Sequence, residues 1–578
     1  MHQPDSRPRR AGGRRRAAVR AVVLAAVLGA ATALVALPAR AAVAGGDAAV
    51  PAASQDPRLL KLQTLLAELE LYRGPIDGQP SPALSAALRE VLQTTSLPPN
   101  DQPSDQLFDQ LEARVRMQRL TRFLATLGRE QTEHAREALL SQPATRDLVA
   151  PPAAGPGGPD AQTAPPAGAA FACARAPTPS CLIAAALEAS DAIEEPRLRD
   201  WALSEIVKAQ ARAGEGDAAR ATIRRIADAR QIVVSLRDVA TLRAERRDID
   251  GALSTAASIP DDLERVDAVL AIAARQIDGG QPDGARASLD RIDAAVDRLK
   301  EPLQRVALRA RIASLRWRAG DHDGADAALA AAEQDADRVP SHDGRGTGLG
   351  FVATALAEMN RPADATRLIL DDRIADSAPA ALAATAGAAA RAGDLPEADR
   401  LAGLIDEPRF RAVALAQLAA IETRRNEPTR AIDRLAEADR VARGIDEATW
   451  RDYPLSRIAQ GYVDLKQPER AVAAARAIGD AATRARLLFV IAHLEAAQGL
   501  PEAADTAAAA EQTTETIVAP LDLCWMLTDV ATAYTDDGDR AAADAMLKRA
   551  VEVAVSIQEP ASRARAFSRI AGVMVGQS

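Results

Sequence analysis

One apolar pattern recurs ten times between Cys181 and the C-terminus. In nearly every unit an aliphatic residue and an Ala stand eight and seven positions before a turn residue, and another Ala follows five positions after it. These columns predict pairs of helices that pack closely at small Ala side chains. Eight turn residues are Gly or Asn, which tolerate the left-handed conformation that ends a helix. They are Gly214, Gly280, Gly320, Asn360, Gly393, Asn426, Gly499 and Gly538, and the other two are Arg247 and Lys466.

Successive turns are either 33 or 39–40 residues apart. The difference is close to two turns of an α-helix, so an insertion of that size keeps the same face buried. We expect the extra residues to lie in the second helices of the longer pairs. At the start of the array, residues 182–187 match a second helix without a partner. At the end, residues 561–578 match a first helix, which would cover the last apolar face.

The tenth unit shows a resemblance to a known family. Val530-Ala531, Tyr534, Gly538-Asp539 and Ala543 stand in register with the tetratricopeptide repeat, and the array as a whole resembles it. Most other units lack the aromatic residues of that family, and the longer spacings exceed its usual length. We therefore describe residues 173–578 as a tetratricopeptide-like α-solenoid of about ten helix pairs. The resemblance implies a protein or peptide partner bound on the solenoid.

Residues 58–112 have a compact pattern of their own. Leu residues at helical spacing precede a turn at 72–78, and Pro82 and the turn at 101–104 open two further helices. This stretch resembles the peptidoglycan-binding-like domain, a three-helix module of bacterial envelope proteins. The resemblance implies that the turn contacts glycan. The residues concerned are Tyr72, Arg73, Gly74, Asp77 and Gly78.

The chain departs from that family after the turn. Pro80 and Ser81 stand where the family usually has an aromatic residue and Gly, and Leu84 replaces its usual Thr. The core Leu positions remain, so we expect the fold to survive, but a changed turn reshapes a shallow glycan groove. Two interpretations stay open: real contact with the cell wall, or a degenerate structural domain. The predicted fold class is all-α, with a small three-helix N-terminal domain, a linker and the solenoid.

The first 41 residues have the pattern of a secretory signal peptide. An Arg-rich start precedes an apolar run at 21–36 and the small-residue site Ala39-Arg40-Ala41. The alternative is an uncleaved membrane anchor, for which the apolar run is short. A helical extension at 113–149 and a Pro-, Gly- and Ala-rich linker at 150–172 separate the N-terminal module from the array. We expect an exported protein, periplasmic or cell-wall associated, of a Gram-negative bacterium.

Export decides how the cysteines are interpreted. Cys173 and Cys181 are eight positions apart around a Pro-containing loop, and in an exported chain they are expected to form a disulfide. Cys524 lies in an apolar helical stretch and is expected to be buried. The four Trp residues are far apart in the sequence, and we expect them to be packing residues. They are Trp201, Trp317, Trp450 and Trp525.

Charge and composition narrow the function classes. Removal of residues 1–41 takes the formal net charge from −9 to −16, and so acidic a surface is a poor partner for nucleic acid or anionic membrane. Five scattered His and three Cys predict neither a metal site nor a cofactor, and no catalytic motif is found. We expect a non-enzymatic envelope scaffold without stable membrane insertion after signal cleavage. The alternatives are a pure protein-interaction solenoid with a vestigial N-terminal domain, and an accessory subunit of an envelope enzyme.

Overall fold

The computed structural model describes residues 56–69, 71–93, 105–149, 173, 175–372 and 374–577. Every regular element in these ranges is a helix, so the predicted all-α fold class is confirmed. Two compact units divide the chain, Met1–Arg122 and Phe123–Ser578. The predicted signal peptide at 1–41 and linker at 150–172 lie outside the described residues. No described helix is both long enough and apolar enough to cross a membrane.

The first unit contains α1 (Pro57–Glu68), α2 (Pro82–Gln93) and the start of α3 (Asp105–Ser141). Each of the three helices contributes one apolar face to a shared core, which is how short amphipathic helices become stable. The core side chains are Leu62, Leu66, Tyr72, Leu84, Ala87, Val91, Leu107, Phe108 and Leu111.

The second unit begins within α3 and continues through the short helix α4 (Arg146–Val149). Leu139 and Leu148 join the apolar core of the repeat array. On the surface, Asp147 forms an ion pair with Arg220 at 2.7 Å. The end of α3 and α4 are therefore docked on the array.

The first helices of the array are 14 to 18 residues long. They bury Ala and aliphatic residues at the positions read from the sequence, such as Ile206 and Ala240. They are α6 (Pro196–Ala213), α8 (Ala229–Glu245), α10 (Asp262–Asp278), α13 (Pro302–Arg318), α15 (His342–Glu358), α17 (Pro379–Ala392), α19 (Pro408–Arg424), α21 (Ala448–Asp464), α23 (Ala481–Ala497), α25 (Pro520–Asp536) and α27 (Pro560–Gln577).

The second helices vary more in length. They are α5 (Pro179–Asp191), α7 (Gly216–Ile223), α9 (Ile249–Ala257), α11 (Pro282–Asp290) with α12 (Asp293–Arg298), α14 (His322–Asp337), α16 (Pro362–Asp371), α18 (Leu395–Gly403), α20 (Pro428–Arg443), α22 (Pro468–Arg476), α24 (Ala503–Thr514) and α26 (Arg540–Ser556). The residues inserted at the longer spacings lie here, because α14 and α20 have 16 residues where α9 and α22 have nine. In the third pair the insertion forms the separate helix α12 and does not lengthen α11.

All ten turn residues between first and second helices have a positive φ. The values run from 55° at Lys466 to 94° at Gly393. This conformation lets the turn N–H donate to the end of the preceding helix, as Asn360 does to the Ala357 carbonyl at 3.1 Å. Arg247 adopts the same conformation at a cost of roughly 1 kcal/mol, because its Cβ crowds the backbone. The geometry of the helix pair therefore determines the turn.

The array closes on itself. Each first helix packs against the first helices before and after it, and the series continues from α27 to α6, so eleven first helices form an unbroken cycle. Helix α27 also packs against α5, which has no first helix of its own. An eleventh pair is thus assembled from the two ends of the array. Residues 561–578 were expected to cover the last apolar face. Helix α27 packs there on α25 and α26, and it also covers α5 and α6 at the opposite end of the same array. The solenoid is a ring.

We call the contact of α27 with α5 and α6 the seam. Apolar side chains fill it, and Phe567 of α27 is fully buried in the continuous core of the array. Gly572 lies beside Arg212 of α6, where an added Cβ would be only 3.0 Å from the guanidinium. A further buried cluster at the seam consists of Ala189, Ile193, Ala202, Ala561 and Ala564. Small residues therefore allow the two ends to approach closely.

The first helices form the inner layer of the ring. They contact one another around the whole cycle, whereas the described second helices pack on first helices and make no comparable contacts among themselves. In a ring, helices of the inner layer lie on the shorter circumference and touch their neighbours, whereas helices of the outer layer are spread apart. The exposed side of each first helix is therefore the inner face of the ring.

Candidate binding surface on the inner face

Five positions of each first helix form the inner face. Counted back from the turn residue, they are positions 2, 6, 9, 13 and 16, a spacing that places them on one side of a helix. All five are at least partly exposed in α6, whereas most of the other positions in that helix are buried. In α6 they are Arg212, Lys208, Glu205, Trp201 and Leu198.

Large apolar side chains are exposed on this inner face. In the described ranges, nine large hydrophobic residues are exposed, and five of them lie on the inner face. The exposed fraction is 62% for Tyr453 and 49% for Trp450. The other three are Leu198, Trp201 and Phe351. Clustered exposure of apolar side chains is typical of an interaction surface.

At position 13 before the turn, five neighbouring first helices alternate aromatic and arginine side chains. The helices follow one another around the ring as α21, α23, α25, α27 and α6. We call their five residues the aromatic–arginine ladder and the five helices the ladder arc. In ring order the ladder is Tyr453, Arg486, Trp525, Arg565 and Trp201. It crosses the seam, because Arg565 and Trp201 come from opposite ends of the array.

The guanidinium of Arg565 lies near two indole rings. Its Cζ is 3.5 Å from the ring centroid of Trp201 and 4.9 Å from that of Trp525, which is cation–π geometry. Its Nε is buried without a hydrogen-bond partner, and no ion pair forms to it within the described residues. Burial lowers the pKa of Arg565. Among the surrounding acids Glu205 raises this pKa most, but it offsets the effect of burial only in part.

Arg486 occupies the matching place between Tyr453 and Trp525 in ring order. It too has no ion pair in the described part of the chain, and burial lowers its pKa, with a partial offset from Asp529. Asp529 is already paired with Arg569 at 2.5 Å. The ladder therefore contains two guanidinium groups that no carboxylate of the described residues contacts.

A second aromatic group borders the ladder on α19 and α21. The Cζ of Arg409 is 4.6 Å from the ring centroids of both Phe410 and Trp450. Unlike the ladder arginines, Arg409 pairs with a carboxylate, that of Glu407 at 2.5 Å. The aromatic surface thus extends from α19 to α6, and the ladder is the part of it that alternates aromatic and arginine side chains.

The opposite arc, formed by α10, α13, α15 and α17, has a different inner face. At position 13 before the turn it carries Asp267, Ala307, Thr347 and Ala380. Two of its arginines are matched by acids from the neighbouring helix. Arg311 lies 2.5 Å from Asp267, and Arg318 lies 2.8 Å from Asp278.

The expectation that the Trp residues are packing residues is wrong for Trp201 and Trp450. Both are exposed on the inner face, and Trp525 is half-buried beside Arg565. Trp317 differs, because its ring stacks on His322 with the centroids 4.0 Å apart. Positions far apart in the sequence occupy the same place in different repeats, and the ring brings them together.

Four of the five residues predicted to contact glycan hold the turn of the first unit. Tyr72 is buried, and its hydroxyl donates a hydrogen bond to the Pro75 carbonyl at 2.9 Å. The side-chain oxygen of Gln63 accepts hydrogen bonds from the backbone N–H groups of Asp77 at 3.0 Å and Gly78 at 2.8 Å. A backbone hydrogen bond from Gln79, with a second bond from Gln63, holds the pKa of Asp77 below its usual value.

The same turn needs both of its glycines. A Cβ on Gly74 would lie 2.4 Å from the Tyr72 hydroxyl oxygen, and Gly78 has a φ of 71°. The exposed part of the turn consists of Arg73, Pro75 and Ile76. The role of Gln63 in holding this turn was not predicted from the sequence.

The cysteines are arranged as predicted. Cys173 and Cys181 form a disulfide with Cα atoms 5.7 Å apart. Cys181 lies in the first turn of α5, and Cys173 precedes this helix. The free cysteine, Cys524, is buried, and burial raises the pKa of its thiol to about 12. Such a thiol is unreactive at neutral pH.

Two buried carboxylates, one in a second helix and one near the end of a first helix, are paired with arginines. Asp335 is fully buried and lies 2.8 Å from Arg305. Glu422 is buried and lies 2.6 Å from Arg434, which lines an open cleft of about 380 Å³. Paired carboxylates of this kind are typical of structural ion pairs. Among the described residues, no group of three or more His, Cys, Asp or Glu could hold a metal ion.

The ladder was not predicted from the sequence. The signal was present, since position 13 before the turn reads Tyr453, Arg486 and Trp525 in the last three complete units. Arg565 follows if Ser578 is counted as the eleventh turn. Trp201 extends the series only once the ring is known to close.

No protein-family model matches the chain, and no curated protein is significantly similar to it. The crystal structure of Ton1535 from Thermococcus onnurineus NA1 is 16% identical, with 57% of this chain and 98% of that chain covered at a TM-score of 0.26. A Rap protein complexed with competence and sporulation factor is 12% identical, with 56% and 97% covered at 0.24. A circular tandem repeat protein with a novel repeat topology is 13% identical, with 90% and 98% covered at 0.16. Likenesses this distant assign neither a family nor a function.

Proposed function

We propose that this helical repeat protein is a non-enzymatic scaffold of the bacterial cell envelope that binds a protein partner on the inner face of its ring. The observation that supports this most strongly is the exposed aromatic surface with unpaired arginines on the ladder arc. Aromatic and Arg side chains dominate the binding energy of protein interfaces. Because the closed ring fixes the positions of these side chains, little conformational freedom is lost on binding.

Site-specific photo-crosslinking tests this function. A photoreactive residue at position 453 lies on the inner face, and one at position 548 lies on the exposed outer side of α26. We expect capture of a discrete partner from position 453 and none from position 548. Equal capture from both positions, or capture from 548 alone, would contradict binding on the inner face.

We assign the first unit to contact with peptidoglycan. The resemblance of the turn motif supports this, together with the exposed Arg73 and Ile76 beside the buried Tyr72. Purified sacculi should retain the full chain better than a variant that lacks residues 42–149. Equal retention of the two proteins would rule out the assignment.

Export is the third part of the proposal. Its support is the pattern of residues 1–41 and the Cys173–Cys181 disulfide, a bond typical of oxidising compartments. N-terminal sequencing of protein from a periplasmic extract should begin at Ala42. A protein recovered from membranes with residues 1–41 intact would support the anchor alternative.

The alternative of a pure interaction ring with a vestigial N-terminal domain has its own support. Tyr72, Asp77 and Gly78 are already engaged in holding their turn. This alternative predicts that deletion of residues 42–150 leaves partner capture at position 453 unchanged, and that the full chain does not bind sacculi.

A further inference from the structure

We propose that the aromatic–arginine ladder binds an extended acidic segment of the partner, and that this binding stabilises the seam. The inference rests on the proposed function, because it specifies the chemistry of the partner on the same inner face. It also specifies that the partner binds on the ladder arc and that its binding favours the closed form of the ring.

The charge of the ladder points to a carboxylate ligand. Arg486 and Arg565 are both partly buried, and neither contacts a carboxylate of the described residues. A ligand carboxylate would supply charge-assisted hydrogen bonds to these guanidinium groups, and that of Arg565 is already oriented by the two indole rings. The repeat does not require an unpaired arginine on its inner face, because Arg311 is paired with Asp267 of the neighbouring helix.

The distribution of charge favours a sparse anion over a dense one. Helix α25 lies between the two ladder arginines and places three acids on the same inner face, which would repel a nucleic acid or another polyanion. They are Asp522, Asp529 and Asp536. A peptide with separated carboxylates meets the arginines and avoids these acids.

The spacing of the ladder favours an extended peptide. Arg486 and Arg565 are on α23 and α27, two helix positions apart in the ring. Neighbouring helices pack about 8–10 Å apart, so the axes of α23 and α27 are on the order of 16–20 Å apart. An extended chain covers roughly 3.3 Å per residue, so about five residues span the distance between these two helices. Trp525 lies between them in ring order and would contact the intervening residues.

The ladder exists only in the closed ring. Trp201 belongs to α6 and Arg565 to α27, and their contact crosses the seam. A ligand that touches both helices binds the closed ring more tightly than an open one. Mass action then requires that the ligand shift the equilibrium towards closure.

A peptide titration tests the ligand chemistry. The probe is a fluorescent Gly/Ser/Pro peptide of about twelve residues with two Glu five residues apart, and the matched controls carry one Glu or two Gln. We expect the two-Glu peptide to bind tightest and to weaken with salt. Arg565→Gln and Arg486→Gln should each weaken its binding about tenfold, as loss of a charge-assisted hydrogen bond does. Arg311→Gln should leave binding unchanged, and thermal melting verifies that each variant is folded.

Hydrogen exchange tests the coupling to the seam. Saturation with the two-Glu peptide should slow amide exchange in residues 560–577 and leave residues 342–358 of the opposite arc unchanged. Exchange that slows equally in both helices, or in neither, would contradict the coupling.

The outcomes separate this inference from the proposed function. Equal binding of the Glu and Gln peptides, or equal losses in Arg311→Gln and Arg565→Gln, would overturn the acidic-peptide assignment. If position 453 still captures a partner in that case, the binding ring stands and its ligand chemistry is wrong. If the same arginines bind soluble peptidoglycan fragments and reject the peptide, the ligand is a cell-wall carboxylate and the inference fails. Absence of both capture and peptide binding would contradict the two proposals together.

Discussion

Two arcs of one ring are built from the same repeat but differ in how arginines on the inner face are paired. In the opposite arc, Arg311 and Arg318 are matched by acids on the neighbouring helix. In the ladder arc, Arg486 and Arg565 form no ion pair with any described residue, and Arg565 lies against Trp201 instead. This difference supports the proposal that the ladder arc is the part of the ring that binds a ligand.

The largest expected effect comes from removing the seam. A chain that ends at residue 559 lacks α27 and exposes the faces of α5 and α6 that it covers. Loss of a buried Phe alone costs about 3–5 kcal/mol, so deletion of the whole helix should cost more than about 5 kcal/mol. Urea unfolding followed by circular dichroism measures this. A chain that ends at Gly576 is the control and should keep nearly full stability, whereas equal behaviour of the two truncations would contradict ring closure.

Two Phe substitutions compare the seam with the opposite arc. Phe567 is fully buried at the seam, and Phe351 is exposed on the inner face of α15. Phe567→Ala should lower the free energy of unfolding by about 3–5 kcal/mol, because it leaves a cavity. Phe351→Ala should cost about 1 kcal/mol or less. Similar losses in the two variants would mean that the seam is not packed as described.

An acid titration tests the matched charges on the opposite side of the ring, where Asp335 in α14 is fully buried. Burial alone would raise the pKa of Asp335, but hydrogen bonds from Arg305 and Arg338 hold it below its ordinary value of 3.8. The carboxylate therefore stabilises the fold above about pH 4, and this contribution is lost as the pH falls through the lower pKa of the folded state. Asp335→Asn should cost about 3 kcal/mol at pH 7. The difference between variant and parent should shrink below pH 3.5, and a constant difference would contradict the pairing.

The smallest expected effect is a change in stability that has opposite signs in two arginine variants, one from each arc. Arg486→Met removes a partly buried, unpaired charge and should stabilise the protein by up to about 1 kcal/mol. Arg311→Met removes one partner of a surface ion pair and should destabilise it by about 0.2–1 kcal/mol. Thermal melting compares both variants with the parent. Two shifts of the same sign would remove the distinction between the arcs.

Much of the array could be predicted from the sequence because the repeat is local. An aliphatic-Ala pair, a turn such as Gly214 and a following Ala lie within about fourteen residues, and each has a short-range physical cause. The same is true of the Cys173–Cys181 disulfide, which closes a loop of a few residues. The insertions could be assigned to the second helices because seven residues preserve the buried face.

Closure of the ring could not be predicted, because it depends on the sum of small rotations over eleven pairs. No single residue encodes that sum. Once closure is known, residues 182–187 and 561–578 become the two halves of one pair, and Trp201 becomes a neighbour of Arg565. The packing role predicted for Trp201 and Trp450 was wrong for the same reason, since distance along the chain is a poor guide to distance around a ring.

The most direct test of the account measures the distance across the seam. Spin labels at positions 197 and 562, introduced through Arg197→Cys and Ser562→Cys, lie near the starts of α6 and α27. Cys524 can remain, because its buried thiol with a pKa of about 12 does not react with the label. Neighbouring helices about 10 Å apart predict a narrow inter-label distance below about 20 Å by electron paramagnetic resonance. A broad distribution, or a distance of about 40 Å or more, would show an open solenoid and contradict the ring.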